Sequence, residues 1–148
     1  MPQIITNNEK ETAKFANDFA KTLKGGETIG LIGDLGAGKT CFSQSLAAAL
    51  GIKETVNSPT FVIMKVYENN SGLAKNICHV DAYRLNSYQD LEALGIEDYI
   101  SNPNAIVIIE WADKVKNGLP NDTIYLEFKH DGENRRTIHY HPSSFSKV

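Results

Sequence analysis

The chain has 148 residues, 41% of them hydrophobic, and a formal net charge of -3. That length and apolar content suit one compact domain with a real core, and the acidic balance excludes a protein that grips nucleic acid mainly through a basic face of its own. Two cysteines, Cys41 and Cys78, are too few for a disulfide framework, and no charged start or apolar run of roughly 18 residues marks a leader or a membrane span, so a cytoplasmic protein with no membrane role is expected.

In chain order, "MPQIIT" reads as a short edge strand and "NNEKETAKFANDFAKTL" as a helix. Asn7 or Asn8 is placed to cap that helix, Glu9 and Glu11 favour its positive end, and Ala13, Ala16, Phe19, Ala20 and Leu23 recur on one face. "TIGLIG" has the pattern of a buried strand before a glycine-rich loop, and "KTCFSQSLAAALG" follows as a helix ending near Gly51. "TFVIMKVYE" and "KNICHVDAY" flank the turn-rich "NNSGLA" and read as adjacent strands of a hairpin or meander. "SYQDLEALGI" is a short helix capped by Ser87, and "NAIVIIE" is apolar enough for a central strand buried on both faces. "DTIYLEFKH" and "RRTIHYH", joined by "DGEN", form a second hairpin. The order is mixed α/β, with parallel pairing near the loop and antiparallel pairing elsewhere.

Gly33, Gly38, Lys39 and Thr40 satisfy G-x-x-x-x-G-K-[ST], the P-loop pattern, with Gly36 as a further glycine inside the loop. Glycines let successive backbone N–H groups turn inward around phosphate oxygens, and the following helix start adds its positive end. Lys39 is expected to reach the terminal phosphates and the Thr40 hydroxyl to ligate Mg2+. The fold expected is an α/β single-domain P-loop NTPase over residues 1–148, with a central mixed parallel/antiparallel sheet flanked by helices.

A phosphate cradle still needs a carboxylate for the metal and a group that orients water. Glu110 closes the apolar strand "AIVIIE" and Asp81 closes "NICHVD". Glu110 is the expected metal ligand, direct or through water, and Asp81 its neighbour, supporting the metal or polarising water; the reverse assignment stays open. Ser58 and Thr60 in "NSPTF" offer a loop hydroxyl for the terminal phosphate, against ordinary turn chemistry around Pro59. Trp111 and His79 read as packing and structural strand residues, and Cys41, at a helix start that could lower its pKa, as a small buried neighbour of the loop.

"GDLGAGKT", "SPTF", "HVDAYRL", "LGIEDYI", "IEWADK" and "LP" occur in that order along nearly the whole chain. Together they resemble the TsaE (YjeE) family, bacterial ATPases of tRNA threonylcarbamoyladenosine biosynthesis. The resemblance implies an ATPase that acts with TsaD and TsaB, which transfer and scaffold a threonylcarbamoyl group onto adenosine in the tRNA anticodon loop, and whose ATP turnover resets or regulates that complex. Carried over, Gly36, Ala37, Gly38, Lys39, Thr40 and Cys41 would contact the phosphates of ATP, Thr40 and Glu110 would hold Mg2+, and Asp81 would belong to the catalytic set. Thr60 would lie in a switch-like loop, Trp111 near the site and Glu9 beside the adenine; tRNA would be reached through the complex. Cys41 departs from the threonine or serine common in the family.

The rival reading is a small-molecule kinase, but such enzymes usually supply several arginines from a lid, and here only Arg84, Arg135 and Arg136 occur. No N-K-x-D guanine-reading element is present, which points the base towards adenine. A nucleotide-binding module without turnover is the third possibility.

Overall fold

The computed structural model describes residues 3–34, 36–53, 63–69, 73–132 and 134–141. Ser58 and Thr60 lie outside them. Among the described residues seven strands form one sheet in the order β1-β7-β6-β2-β5-β4-β3. The strands are β1 (Gln3–Thr6), β2 (Thr28–Gly33), β3 (Met64–Glu68), β4 (Asn76–Asp81), β5 (Ala105–Glu110), β6 (Ile124–His130) and β7 (Arg136–His141), with helices α1 (Glu9–Ala20), α2 (Lys39–Ala49) and α3 (Tyr88–Glu92). Strand β2 runs parallel to both β5 and β6, and β5 runs parallel to β4; the β1–β7, β6–β7 and β3–β4 pairs are antiparallel. The expected mixed sheet is therefore present, with its parallel part around the loop.

Period-two alternation sorts the sheet into two faces. On β5, Ile106 and Ile108 join the core beneath α1 and α2, whereas Val107 and Ile109 join a second core with Leu91, Ile96, Val115 and Leu119 from α3 and the short turns beyond it. Every residue of β5 is buried, as a central strand covered on both faces must be. Phe42 knits the first core together: its ring centroid lies 5.6 Å from Phe15, 5.8 Å from Phe19 and 5.5 Å from Phe128. Because Phe42 sits in the first turn of α2, this packing also fixes the start of the helix that carries Lys39 and Thr40.

Asn8, not Asn7, caps α1: its side-chain oxygen accepts from the Glu11 backbone N–H at 2.9 Å, while Glu11 Oε1 accepts from the Asn7 backbone N–H at 3.0 Å. Asn8→Ala is expected to cost about 1 kcal/mol of stability, the usual value of such a cap, readable as a lowered urea midpoint with an unchanged slope. The buried stripe of α1 takes in Thr12, where Ala13 was expected; Thr12 Oγ1 meets Thr6 Oγ1 at 2.8 Å, which ties the helix to the edge strand. Ser87 holds the N-cap position of α3 but its side chain accepts no capping hydrogen bond; instead Asp90 Oδ2 accepts from the Asn86 N–H at 3.0 Å. Among the described residues no helix is long and apolar enough to cross a membrane.

Candidate functional site

The parallel strands β2, β5 and β4 end side by side, with Leu31 opposite Glu110 and Glu110 opposite Asp81. Ligands in open α/β sheets bind beyond such carboxyl ends. The loop leaves β2 at Gly33, where φ is +147° and a Cβ would stand 2.4 Å from the Phe128 carbonyl oxygen of β6. It enters α2 at Gly38, whose φ of +103° favours glycine. Both ends of the loop thus require the residue type that the motif supplies.

Lys39 is only 4% exposed. Its ammonium donates to the Gly33 carbonyl and, at 2.9 Å, to the Asp34 carbonyl, and it lies 4.0 Å from the centroid of the Trp111 ring. Burial pulls the lysine below its usual pKa, against the carboxylates of Glu110, Asp113, Asp34 and Asp81, which pull it back up. Trp111 itself follows Glu110 in the left-handed region, with φ at +59°, and its ring lies 4.9 Å from that of Tyr83. Such a conformation is uncommon for a bulky residue.

The Thr40 hydroxyl donates to Glu110 Oε1 at 2.9 Å. Glu110, 2% exposed, holds its other oxygen, Oε2, 2.6 Å from Nε2 of the equally buried His79. Asp81 is half-buried on the neighbouring strand and accepts from the Tyr83 backbone N–H at 3.0 Å through Oδ1. A hydroxyl and a buried carboxylate that meet across the loop are hard oxygen donors suited to Mg2+, which takes one or two protein ligands and leaves its other positions to phosphate and water. Among the described residues no group of three or more His, Cys, Asp and Glu side chains is placed to hold a metal ion by itself.

A cavity of about 760 Å3 opens over this constellation. Of the residues expected at the site, its wall includes Glu9 from the start of α1, Gly36, Gly38, Lys39, Thr40 and Cys41 from the loop and α2, and the strand-end pair Asp81 and Glu110. Gly33 and Ala37 are not among the wall residues: the Gly33 carbonyl holds Lys39, and Ala37, 1% exposed, packs its methyl into the core while its N–H donates to the Asp34 carbonyl at 3.1 Å. Thr60 lies outside the described residues.

Three contacts, in two places, were not anticipated. One is the His79–Glu110 pair, whose signal in the sequence is the alternation in "HVD" that sets His79 and Asp81 on one face. The other two come from the C-terminal hairpin: His130 Nε2 lies 2.7 Å from the Gly36 carbonyl and Arg136 donates to the same oxygen at 3.2 Å. Residues 94 and 100 positions beyond the loop thus support it, and no local pattern announces them.

Cys41 also shows which of two competing effects dominates. A helix start lowers a thiol pKa, yet burial first and the Glu9 carboxylate second push this one up, against Ser45 and Arg136. Cys78 is pushed up to about 12 by burial alone. Since only the thiolate attacks, Cys41 is expected to react with Ellman's reagent at pH 8 more slowly than free cysteine. Cys78 should react only after unfolding; fast modification of two thiols in the native chain would contradict this environment.

The family model for "Threonylcarbamoyl adenosine biosynthesis protein TsaE" matches residues 6–138. The chain belongs to the TsaE family. Among its relatives, the TsaE protein of Bacillus subtilis (strain 168) is 38% identical over 133 residues, which span 90% of this chain and 80% of that protein. The TsaE protein of Treponema pallidum is 32% identical over 92% of this chain and 97% of its own length, and that of Aquifex aeolicus 36% identical over 93% and 94%. The crystal structure of Bacillus subtilis YdiB superposes with a TM-score of 0.79 at 32% identity, covering 96% of this chain and 85% of that one. The resemblance drawn from the ordered motifs is thus borne out. With it come the P-loop nucleotide-binding fold of the TsaE family and the family's place in tRNA threonylcarbamoyladenosine biosynthesis.

Proposed function

We propose that this TsaE-family chain is a single-domain, cytoplasmic Mg2+-dependent ATPase that regulates or resets the TsaD–TsaB complex, which modifies adenosine in the tRNA anticodon loop. The observation that carries the reading is the contact of the Thr40 hydroxyl with the buried Glu110 carboxylate beside Lys39, within one cavity. Thr40 and Glu110 would hold the metal ion, which when bound supplies positive charge to the phosphate oxygens. Lys39 would leave the Gly33 and Asp34 carbonyls for the terminal phosphates. Asp81 would orient the attacking water, Thr60 would belong to the catalytic set, and Glu9 would lie beside the adenine.

A kinase would need cations around the transferring phosphoryl group, and Arg84 and Arg136 both line the cavity. The fate of the γ-phosphate separates the two readings. With labelled ATP and Mg2+ the expected product is inorganic phosphate, released slowly by the chain alone and faster when TsaD and TsaB are added. Rapid transfer of label to a small-molecule acceptor by the isolated chain would establish the kinase instead.

A further inference from the structure

We infer that His79 is a positioning residue for the metal-binding carboxylate: it fixes Glu110 so that one oxygen, Oε1, faces Thr40 and the cavity. The inference rests on the reading of Glu110 as a metal ligand and adds a residue to which that reading gives no role.

The two oxygens of Glu110 are divided between two environments. Oε1 accepts from the Thr40 hydroxyl at 2.9 Å, and Oε2 lies 2.6 Å from His79 Nε2. The pair is set by strand register. Asp81 stands opposite Glu110 and His79 opposite Ile108, so His79 and Glu110 are diagonal neighbours on one face of two parallel strands. At 1% and 2% exposure the pair is shielded from bulk solvent, so the contact between them is made in a poorly solvating environment.

The proton on the ring follows from the hydrogen bonds. A carboxylate oxygen only accepts, so Nε2 must carry the hydrogen. Nδ1 is buried with no hydrogen-bond partner among the described residues, so Nε2 makes the one polar contact of the ring seen there. His79 therefore presents Nε2–H to Glu110. A donor fixed on Oε2 sets the plane of the carboxylate and engages that oxygen, so that Oε1, on the Thr40 side, is the oxygen that would be offered to a metal ion. Outer partners of metal-binding carboxylates orient them in this way, and their loss typically costs 10- to 100-fold in metal affinity.

The test measures Mn2+ affinity of the full chain saturated with ADP, by electron paramagnetic resonance, in the wild type, His79→Leu, His79→Gln and Glu110→Gln. His79→Leu is expected to bind Mn2+ roughly 10- to 100-fold more weakly, with ADP affinity in the absence of divalent ions unchanged. His79→Gln, which keeps an N–H donor, should recover most of the loss. Wild-type Mn2+ affinity in His79→Leu, alongside a weakened Glu110→Gln, would overturn the inference and leave the metal reading intact. An unaffected Glu110→Gln would overturn both. Equal loss in folded His79→Leu and His79→Gln would assign the effect to ring packing and so reject the donor role. If the leucine variant does not fold, long-range 1H–15N spectra of the wild-type imidazoles still decide: the account requires the Nε2–H tautomer for His79, and an Nδ1–H tautomer contradicts it.

Discussion

Lys39→Ala is expected to lower Mg2+-ATP affinity and turnover by roughly 10²- to 10³-fold, the usual loss when one preorganised donor to developing charge is removed from a water-poor site. The expectation rests on placement as much as on charge. Lys39 sits in the first turn of a helix pinned through Phe42, and its ammonium is held at the mouth of the loop by the Gly33 and Asp34 carbonyls. Those carbonyls are neutral acceptors and so weaker partners for the cation than anionic phosphate oxygens. Burial, which pulls the lysine pKa down, acts in the same sense: it strengthens the gain on meeting an anion. Lys39→Arg should recover little, because a planar guanidinium cannot replace a compact point charge in this turn. Isothermal titration with Mg2+-ATP, together with phosphate release, reads both effects; affinity and rate near wild type in the alanine variant would remove Lys39 from the site.

Glu110→Gln should leave the fold and metal-free nucleotide binding intact while lowering Mg2+-stimulated hydrolysis by about 100-fold, within the several kcal/mol that a bound metal ion supplies in such sites. Glutamine conserves the volume, and its amide oxygen can still accept from His79 Nε2–H while its NH2 group faces Thr40. Only the negative charge is lost, so the repulsion between Glu110 and an incoming phosphate disappears along with the metal ligand. Metal-free ADP affinity is therefore expected to hold or to rise slightly. Glu110→Ala behaves differently because it leaves the buried His79 donor without an acceptor, at a cost of about 1–3 kcal/mol in urea unfolding. A glutamine variant that loses metal-free and metal-dependent binding equally would show that Glu110 acts on the fold and not on the cation.

What could be read from the sequence was local. "GDLGAGKT" joins a strand to a helix over a few residues, and "AIVIIE" is a buried run closed by an acid, so each motif carries its own structural context. His79 was legible only as a strand residue, because its partner lies 31 positions away and the meeting depends on the β4–β5 register, where a slip of one residue would turn every side chain to the other face. The support given to Gly36 by His130 and Arg136 depends on β6 pairing with β2, a long-range fact that no turn signal in "DGEN" encodes. Thr12 took the buried place expected for Ala13 because a side-chain hydrogen bond to Thr6 satisfies its hydroxyl, and an apolar-periodicity reading has no way to price that bond. At Cys41 the helix-start argument was sound in direction but outweighed by desolvation, which sequence does not reveal.

Reconstituted tRNA modification tests the proposed role most directly. TsaD, TsaB, their threonylcarbamoyl donor and unmodified tRNA are incubated with ATP, with and without this chain, and the threonylcarbamoyladenosine formed per complex is counted. The account predicts that modification continues through many turnovers only when the wild-type chain and hydrolysable ATP are both present, and stalls with Lys39→Ala. Multiple turnovers at an unchanged rate without the chain, or with the Lys39 variant in its place, would contradict it.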